Sequence, residues 1–162
     1  MILHIFDLDG TLICSKHRQN TLPDGTLDLA HWIENNTPEK IRRDSLLPLG
    51  REYARFRSAP KAASVMQIAC TARQLQEADH EFFHYHGLRF DAILSRPHGC
   101  TDSDVKLKDD LLREFARQIE MPFARLMKTA HFWDDNDSIR EHFTSHGVIC
   151  YNPVKYNEVN AA

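Results

Sequence analysis

Residues 2–12 read Ile2-Leu3-His4-Ile5-Phe6-Asp7-Leu8-Asp9-Gly10-Thr11-Leu12. An almost wholly apolar run ends on two aspartates one residue apart, followed by a glycine and a threonine. A short run of this kind reads as a strand covered on both faces. Strand periodicity then puts Asp7 and Asp9 on the same side of the chain. Two carboxylates so close repel each other, which favours a bound cation or a raised pKa on one of them. That permits a division of labour in which one stays ionised and attacks while the other carries a proton. Gly10 lets the backbone turn sharply and approach a ligand closely.

Working outward, four more short apolar runs follow: Val65–Cys70 and residues 90–94, 129–133 and 148–151. Helical patterns separate them, most clearly at 74–85, 104–120 and 138–146. Ser138 with Glu141 is a capping-box signature, and Gly147 suits the stop of that last helix. Strands alternating with helices predict an α/β, doubly wound (Rossmann-like) parallel sheet of about five strands with flanking helices. Ligands in such sheets bind at the carboxyl ends of the strands, near the switch point. Residues 1–155 read as a single domain with a small helical and loop insertion at about 13–63, too short for a large cap. Helical patterns at 28–35 and 49–57 fall within that insertion. The polar segment 152–162, with its tail at 156–162, is expected to fray.

The chain has 162 residues and a net charge of −3, which argues against strong non-specific nucleic-acid binding. No apolar run approaches the ~18 residues needed to span a bilayer, and no basic leader opens the chain, so a cytoplasmic protein without membrane contact is expected. Cys14, Cys70, Cys100 and Cys150 are scattered and form no C-x-x-C pair, which fits a reducing compartment and argues against zinc. One basic stretch stands out: Lys40, Arg42, Arg43, Arg51, Arg55, Arg57 and Lys61 against Glu39, Asp44 and Glu52. It reads either as solvated helix faces or as a collar that attracts an anion. His80, His84 and His86 crowd one helical pattern. His80 and His84 lie one turn apart, but no further ligand motif accompanies them, and a solvated face is the expectation. Trp32 reads as a core contact, with base stacking the sharper alternative.

Three further segments complete a chemistry at strand ends. The second strand runs into Thr71-Ala72-Arg73, where a hydroxyl and turn N–H groups suit a phosphoryl oxygen and Arg73 suits a bidentate anion contact. Lys106 and Lys108 are alternatives for a buried cation. Lys108 shares a helical face with Leu111, Leu112, Phe115 and Ile119, whereas Lys106 lines up with Asp110, Arg113 and Arg117, so Lys108 is favoured. The fourth strand ends in Asp134-Asp135-Asn136-Asp137, with Asp137 expected to cap the following helix.

In this order the segments resemble the haloacid dehalogenase superfamily, whose first motif, D-x-D-G-[TV]-L, is matched by Asp7 to Leu12. The resemblance implies a phosphoric monoester hydrolase in which Asp7 forms an aspartyl-phosphate and Asp9 serves as acid and then base. Gly10 and Thr11 belong to the same substrate-facing loop. It implies that Thr71 and Lys108 are catalytic. It implies a Mg2+ ion held by Asp7, the backbone carbonyl of Asp9, and Asp134, with Asp135 acting through water or fixing Lys108. Finer features are similar to the 3′-phosphatase domain of polynucleotide kinase–phosphatases: Arg73 in the second motif, Arg96 opening the segment before Lys108, Asp104 one turn ahead of that lysine, and Arg18 as a further basic residue. The segment from Arg96 to Asp104 is less basic than in that group, and no P-loop accompanies it. The substrate is thus expected to be phosphorylated, with a nucleic-acid 3′ end, a nucleotide and a small metabolite all open. A non-catalytic binding protein on the same fold is the alternative of another class, opposed by the presence of every motif residue.

Overall fold

Strand β1 (Ile2–Phe6) occupies the centre of a five-stranded sheet in the computed structural model, which describes residues 1–25, 27–57 and 64–161. The other strands are β4 (Val65–Cys70), β5 (Ala92–Leu94), β6 (Ala130–Trp133) and β7 (Ile149–Tyr151). Their order is β5-β4-β1-β6-β7, and every pairing is parallel. The chain first builds one side of β1 and then crosses to the other. The switch point therefore falls at the carboxyl end of β1, where Asp7 emerges. Asp7 N–H donates to Trp133 O at 2.9 Å, and Thr71 N–H to Leu94 O at 2.9 Å, so the strand ends stay in register up to the site.

Alternation along β1 sets the two cores. Leu3 and Ile5 face Leu112 and Phe115 of α5 (Asp104–Gln118), Leu126 of α6 (Phe123–Met127) and Phe143 of α7 (Asp137–Ser145). Phe6 faces the opposite way, into a cluster with Tyr53 of α3 (Pro48–Arg57) and Phe82 and Phe83 of α4 (Glu77–His86). Burying each such side chain contributes roughly 1.5–3 kcal/mol, so both faces hold the sheet.

The segment after β1 contains a two-stranded antiparallel pair, β2 (Ile13–Cys14) with β3 (Ser45–Leu46). Two short helices lie between them, α1 (Leu29–Asn35) and α2 (Pro38–Ile41). No large cap is present among the described residues. Residues 58–63 of the expected insertion, Lys61 included, lie outside the described residues. The basic stretch is largely paired: Arg42 with Glu81, Arg43 with Glu39, Arg55 with Glu52 and Arg57 with Asp91. No helix is long and apolar enough to cross a membrane.

Three local expectations are corrected. The segment expected to fray forms α8 (Pro153–Val159), because Asn157 is drawn into the interior. Its carboxamide accepts from Leu49 N–H at 2.9 Å and donates to Thr11 O at 3.0 Å, tying the end of the chain to the Asp7 loop. Helix α7 is capped by Asn136, whose side chain accepts from Ser138 N–H at 2.9 Å; Asp137 is its first helical residue and pairs with Arg140. Helix α4 begins at Glu77 rather than three residues earlier, since 71–76 are taken up by the turn that carries Thr71 and Arg73.

Candidate active site

The loop after β1 is pinned by one carbonyl. Leu8 is fully buried, and its O accepts from the N–H groups of Thr11, Leu12 and Ile13 at 3.2, 2.9 and 2.9 Å. This winds the backbone tightly and leaves Asp7 and Asp9 on either side of a buried leucine. Gly10 completes the turn at φ +74°, a left-handed value that favours glycine, and a β-carbon there would sit 2.3 Å from Asp135 Oδ2. A larger residue here would have to displace the Asp135 carboxylate as well as hold a strained backbone.

Asp7, Lys108 and Asp134 come together from three elements. Asp7 ends β1, Lys108 lies in the first turns of α5, and Asp134 follows β6; all three are buried. Lys108 Nζ lies 2.7 Å from Asp7 Oδ1 and 2.7 Å from Asp134 Oδ2. Burial pulls the Lys108 ammonium towards neutrality, and the two carboxylates more than offset that, so it stays charged. Lys106 faces outward between Asp102 and Asp110. Asp134 Oδ1 accepts from Asn136 N–H at 3.0 Å, and Arg140 donates to the Asp134 carbonyl at 2.6 Å, which fixes the turn.

Asp135 does not hold Lys108, contrary to one of its expected roles. Its carboxylate lies against Gly10, on the same side as Asp7 and Asp134, and the three carboxylates offer oxygens within 4.8 Å of one another. Burial pushes the Asp7 carboxyl well above the usual range, Lys108 opposes this, and Asp134 and Asp135 add to the rise. Loss of hydration and the Asp134 charge push Asp135 up to about 6. Three crowded carboxylates facing one ammonium leave excess negative charge. The donors are all oxygen, which suits a hard divalent cation such as Mg2+.

Asp9 meets a different environment. Arg73 grips both of its oxygens, and Ser15 Oγ donates to Oδ1. Burial tends to raise the Asp9 carboxyl, but the Arg73 guanidinium outweighs this and holds it below the usual range. The pKa directions of Asp7 and Asp9 thus run opposite to the expected division between an ionised nucleophile and a protonated acid. Burial raises both carboxyls; at Asp7 the Asp134 and Asp135 charges add to that and Lys108 only partly opposes it, whereas at Asp9 two nitrogens of Arg73 more than offset it.

Arg73 is itself buried and also reaches Asp79 and Asp44. Thr71 Oγ1 accepts from Arg73 N–H at 3.1 Å, which shapes the turn after β4. Thr11 is buried beside Asp7, with its hydroxyl 3.4 Å from Asp7 Oδ2. Arg18, expected to face substrate, is completely enclosed: it forms a two-point pair with Asp44, donates to Asn36 and stacks on Trp32, 4.3 Å from the ring centre. Arg96 donates to the carbonyls of Ala72, Cys100 and Asp102 and pairs with Asp104 at 2.7 Å. Both arginines hold loops in place here; Arg18 lies beneath the site, and Arg96 and Asp104 lie at its edge. Trp32 belongs to this arginine layer, since Arg73 also lies 5.7 Å from its ring centre.

The structure adds Ser15, Asp44 and Asp79, which sequence reasoning missed. Asp79 carried a signal, because it shares the buried stripe of α4 with Phe82 and Phe83. Asp44 carried none, since its partners are 26 and 29 residues away.

The chain matches the family model of the bacteriophage T5 5′-deoxynucleotidase over residues 1–160. A 5′-deoxynucleotidase of Escherichia phage T5 is 38% identical over 116 residues, covering 68% of this chain and 43% of that protein. The match thus spans less than half the length of that relative. Among solved structures, the Pnkp1/Rnl/Hen1 RNA repair complex contains a chain with a TM-score of 0.61 at 15% identity, covering 93% of this chain and 41% of that one. A haloacid dehalogenase superfamily hydrolase of subfamily IA from Geobacter sulfurreducens gives a TM-score of 0.61 at 13% identity, covering 94% and 89%. These two likenesses are of fold.

Proposed function

Since this chain belongs to the bacteriophage T5 5′-deoxynucleotidase family and has the haloacid dehalogenase fold, we propose that it is a magnesium-dependent phosphomonoesterase that removes the 5′-phosphate of deoxynucleoside monophosphates. The observation that carries the chemistry is the buried bridge of Lys108 between Asp7 and Asp134 at the switch point of the sheet. The family carries the substrate.

Asp7, Asp134 and the Asp9 carbonyl would hold Mg2+, which when bound offsets charge on the phosphoryl oxygens. A carboxylate oxygen of Asp7 attacks phosphorus as the P–O5′ bond breaks, giving an aspartyl-phosphate and the nucleoside. The leaving oxygen takes a proton from Asp9. Water then attacks the phosphorus of the intermediate, Asp9 takes back a proton, and Asp7 and inorganic phosphate are released. Lys108 opposes the protonation that burial favours at Asp7, the bound cation would add to that effect so that Asp7 attacks as a carboxylate, and the Thr71 hydroxyl holds a phosphoryl oxygen.

Arg73 links substrate arrival to the protonation of Asp9. An incoming phosphate competes with Asp9 for the guanidinium. As Arg73 turns to the phosphate, Asp9 loses the charge that depresses its pKa and becomes able to carry the proton it must donate. The role of Arg73 as a phosphate contact and its present grip on Asp9 are then two stages of one cycle.

A polynucleotide 3′-phosphatase is the second reading. It is favoured by the Arg96–Asp104 pair ahead of Lys108 and by the absence of a large cap among the described residues. The test is phosphate release, with Mg2+ and with EDTA, from deoxynucleoside 5′-monophosphates, a DNA oligonucleotide with a 3′-phosphate, and sugar phosphates. Preference for the monophosphates is expected. Preference for the oligonucleotide end would replace the proposed substrate while leaving the Asp7 chemistry standing.

A further inference from the structure

A second group of metal-ligating side chains lies away from the Asp7 site, where α5 packs against the C-terminal end of α7. It consists of Asp109, His142 and His146, whose ligand atoms all lie within 4.8 Å of one another. His142 lies on α7 and His146, four residues on, caps its C-terminal end, so both rings fall on the same side of the helix, edge to face. The rings lie 4.9 Å apart between centres. Asp109 Oδ1 lies 2.9 Å from His142 Nε2 and 3.9 Å from His146 Nε2.

We propose that Asp109, His142 and His146 form a binding site for a borderline divalent transition metal such as Zn2+ or Co2+, joining α5 to α7. Two imidazoles and one carboxylate are a nitrogen-rich set that suits these ions and not Mg2+. Ligands on a tetrahedral ion at 2.0–2.1 Å stand about 3.3 Å apart. The observed 2.9 and 3.9 Å separations bracket that value, so small side-chain movements suffice. Three protein ligands leave a fourth position for water.

The surroundings already orient these groups. Arg113 Nε donates to Asp109 Oδ2 at 2.5 Å, which leaves Oδ1 turned to the imidazoles; the same guanidinium lies 3.4 Å from Oδ1 through Nη2. Arg113 stacks on Phe123, and the edge of that ring packs against His146. A carboxylate held by a second partner and a histidine held by a ring are what second-layer support of a metal looks like. The ligands are about 15 to 34% exposed, so an ion can reach them. Asp109 directly follows Lys108, and α7 directly follows the Asp134 turn. An ion here fastens the two elements whose ends hold the bridge at Asp7, without touching it.

The experiment is a Co2+ titration followed by visible absorption, in saturating Mg2+, on the full chain. One Co2+ per chain with the bands of a nitrogen-ligated, low-coordinate ion is expected. His142→Ala and His146→Gln should each weaken binding by at least about 10-fold, and Asp134→Asn should leave it unchanged. Zn2+ at a hundredfold its Kd should raise Tm by about 5 °C or more in the wild type and not in His146→Gln. Circular dichroism checks that each variant is folded, and His146, at the C-terminal cap of α7, serves if His142→Ala does not fold. Absence of Co2+ binding to the wild type would overturn the proposal. So would binding that Mg2+ displaces, or that Asp134→Asn abolishes while His146→Gln leaves it intact.

Discussion

Replacing Lys108 by methionine tests how the active site is held together. The substitution keeps an unbranched apolar side chain of similar size and removes the ammonium with its two hydrogen bonds. Asp7 Oδ1 and Asp134 Oδ2, each 2.7 Å from that ammonium, are then left buried without a cation. Removing one partner of a buried pair costs about 3–5 kcal/mol. A chain of this size loses about 2–4 °C of Tm per kcal/mol, so the fall should be roughly 6–20 °C. The assay is thermal unfolding by circular dichroism at neutral pH in EDTA, with Lys106→Met as control. Lys106 is exposed between two carboxylates, and its replacement should shift Tm by no more than about 2 °C. The pH dependence has a definite sign. Without Lys108 the folded-state pKa of Asp7 rises further above the unfolded value of about 3.9. The penalty is therefore absent below that value and grows as pH rises, so acidification should narrow the gap to wild type. Equal shifts for the two lysine variants would refute the reasoning, as would a gap that widens in acid.

Three other outcomes follow from the same geometry. Asn157→Ala leaves Leu49 N–H and Thr11 O buried without partners, at about 1–3 kcal/mol each; urea unfolding should show a loss of about 2–6 kcal/mol, and a loss under about 0.5 kcal/mol would mean that α8 does not anchor the Asp7 loop. Arg73→Gln removes the charge that depresses Asp9, so the limb of the kcat/KM profile set by Asp9 should move to higher pH as activity falls at least about 100-fold; an unmoved limb would separate Arg73 from Asp9. In EDTA, the raised carboxyls of Asp7 and Asp135 contribute stability that is complete below about pH 4 and is lost as pH rises through about 6 for Asp135. The gain in Tm on adding Mg2+ should therefore increase across that window, and a gain independent of pH would argue against the ion binding these carboxylates.

The sheet was legible because its strands are short apolar runs whose ends carry the polar residues. The run before Asp7 and the run before Thr71 coincide with β1 and β4. Lys108 was legible by helical periodicity, since a lysine on the stripe of Leu112 and Phe115 has to meet buried charge. Contacts between distant segments were not legible. Nothing local announces that Arg18 closes on Asp44, or that Asn157 reaches Thr11 across 146 residues. The polar composition of the last segment concealed α8, because only Pro153, Tyr156 and Asn157 turn inward to anchor it. The histidines illustrate the same limit. His80 and His84 share a helix but gain no third ligand among the described residues, whereas His142 and His146 meet Asp109 only when α5 packs against α7.

The central claim is that Asp7 attacks the phosphate of a nucleotide. It is tested most directly by phosphate release from deoxynucleoside 5′-monophosphates in Mg2+, comparing wild type with Asp7→Asn. The variant keeps the shape of the side chain and removes its nucleophilic oxygen. Loss of release to background, with the fold retained by circular dichroism, is the predicted result. Turnover by Asp7→Asn at more than about a hundredth of the wild-type rate would contradict a covalent mechanism through this residue.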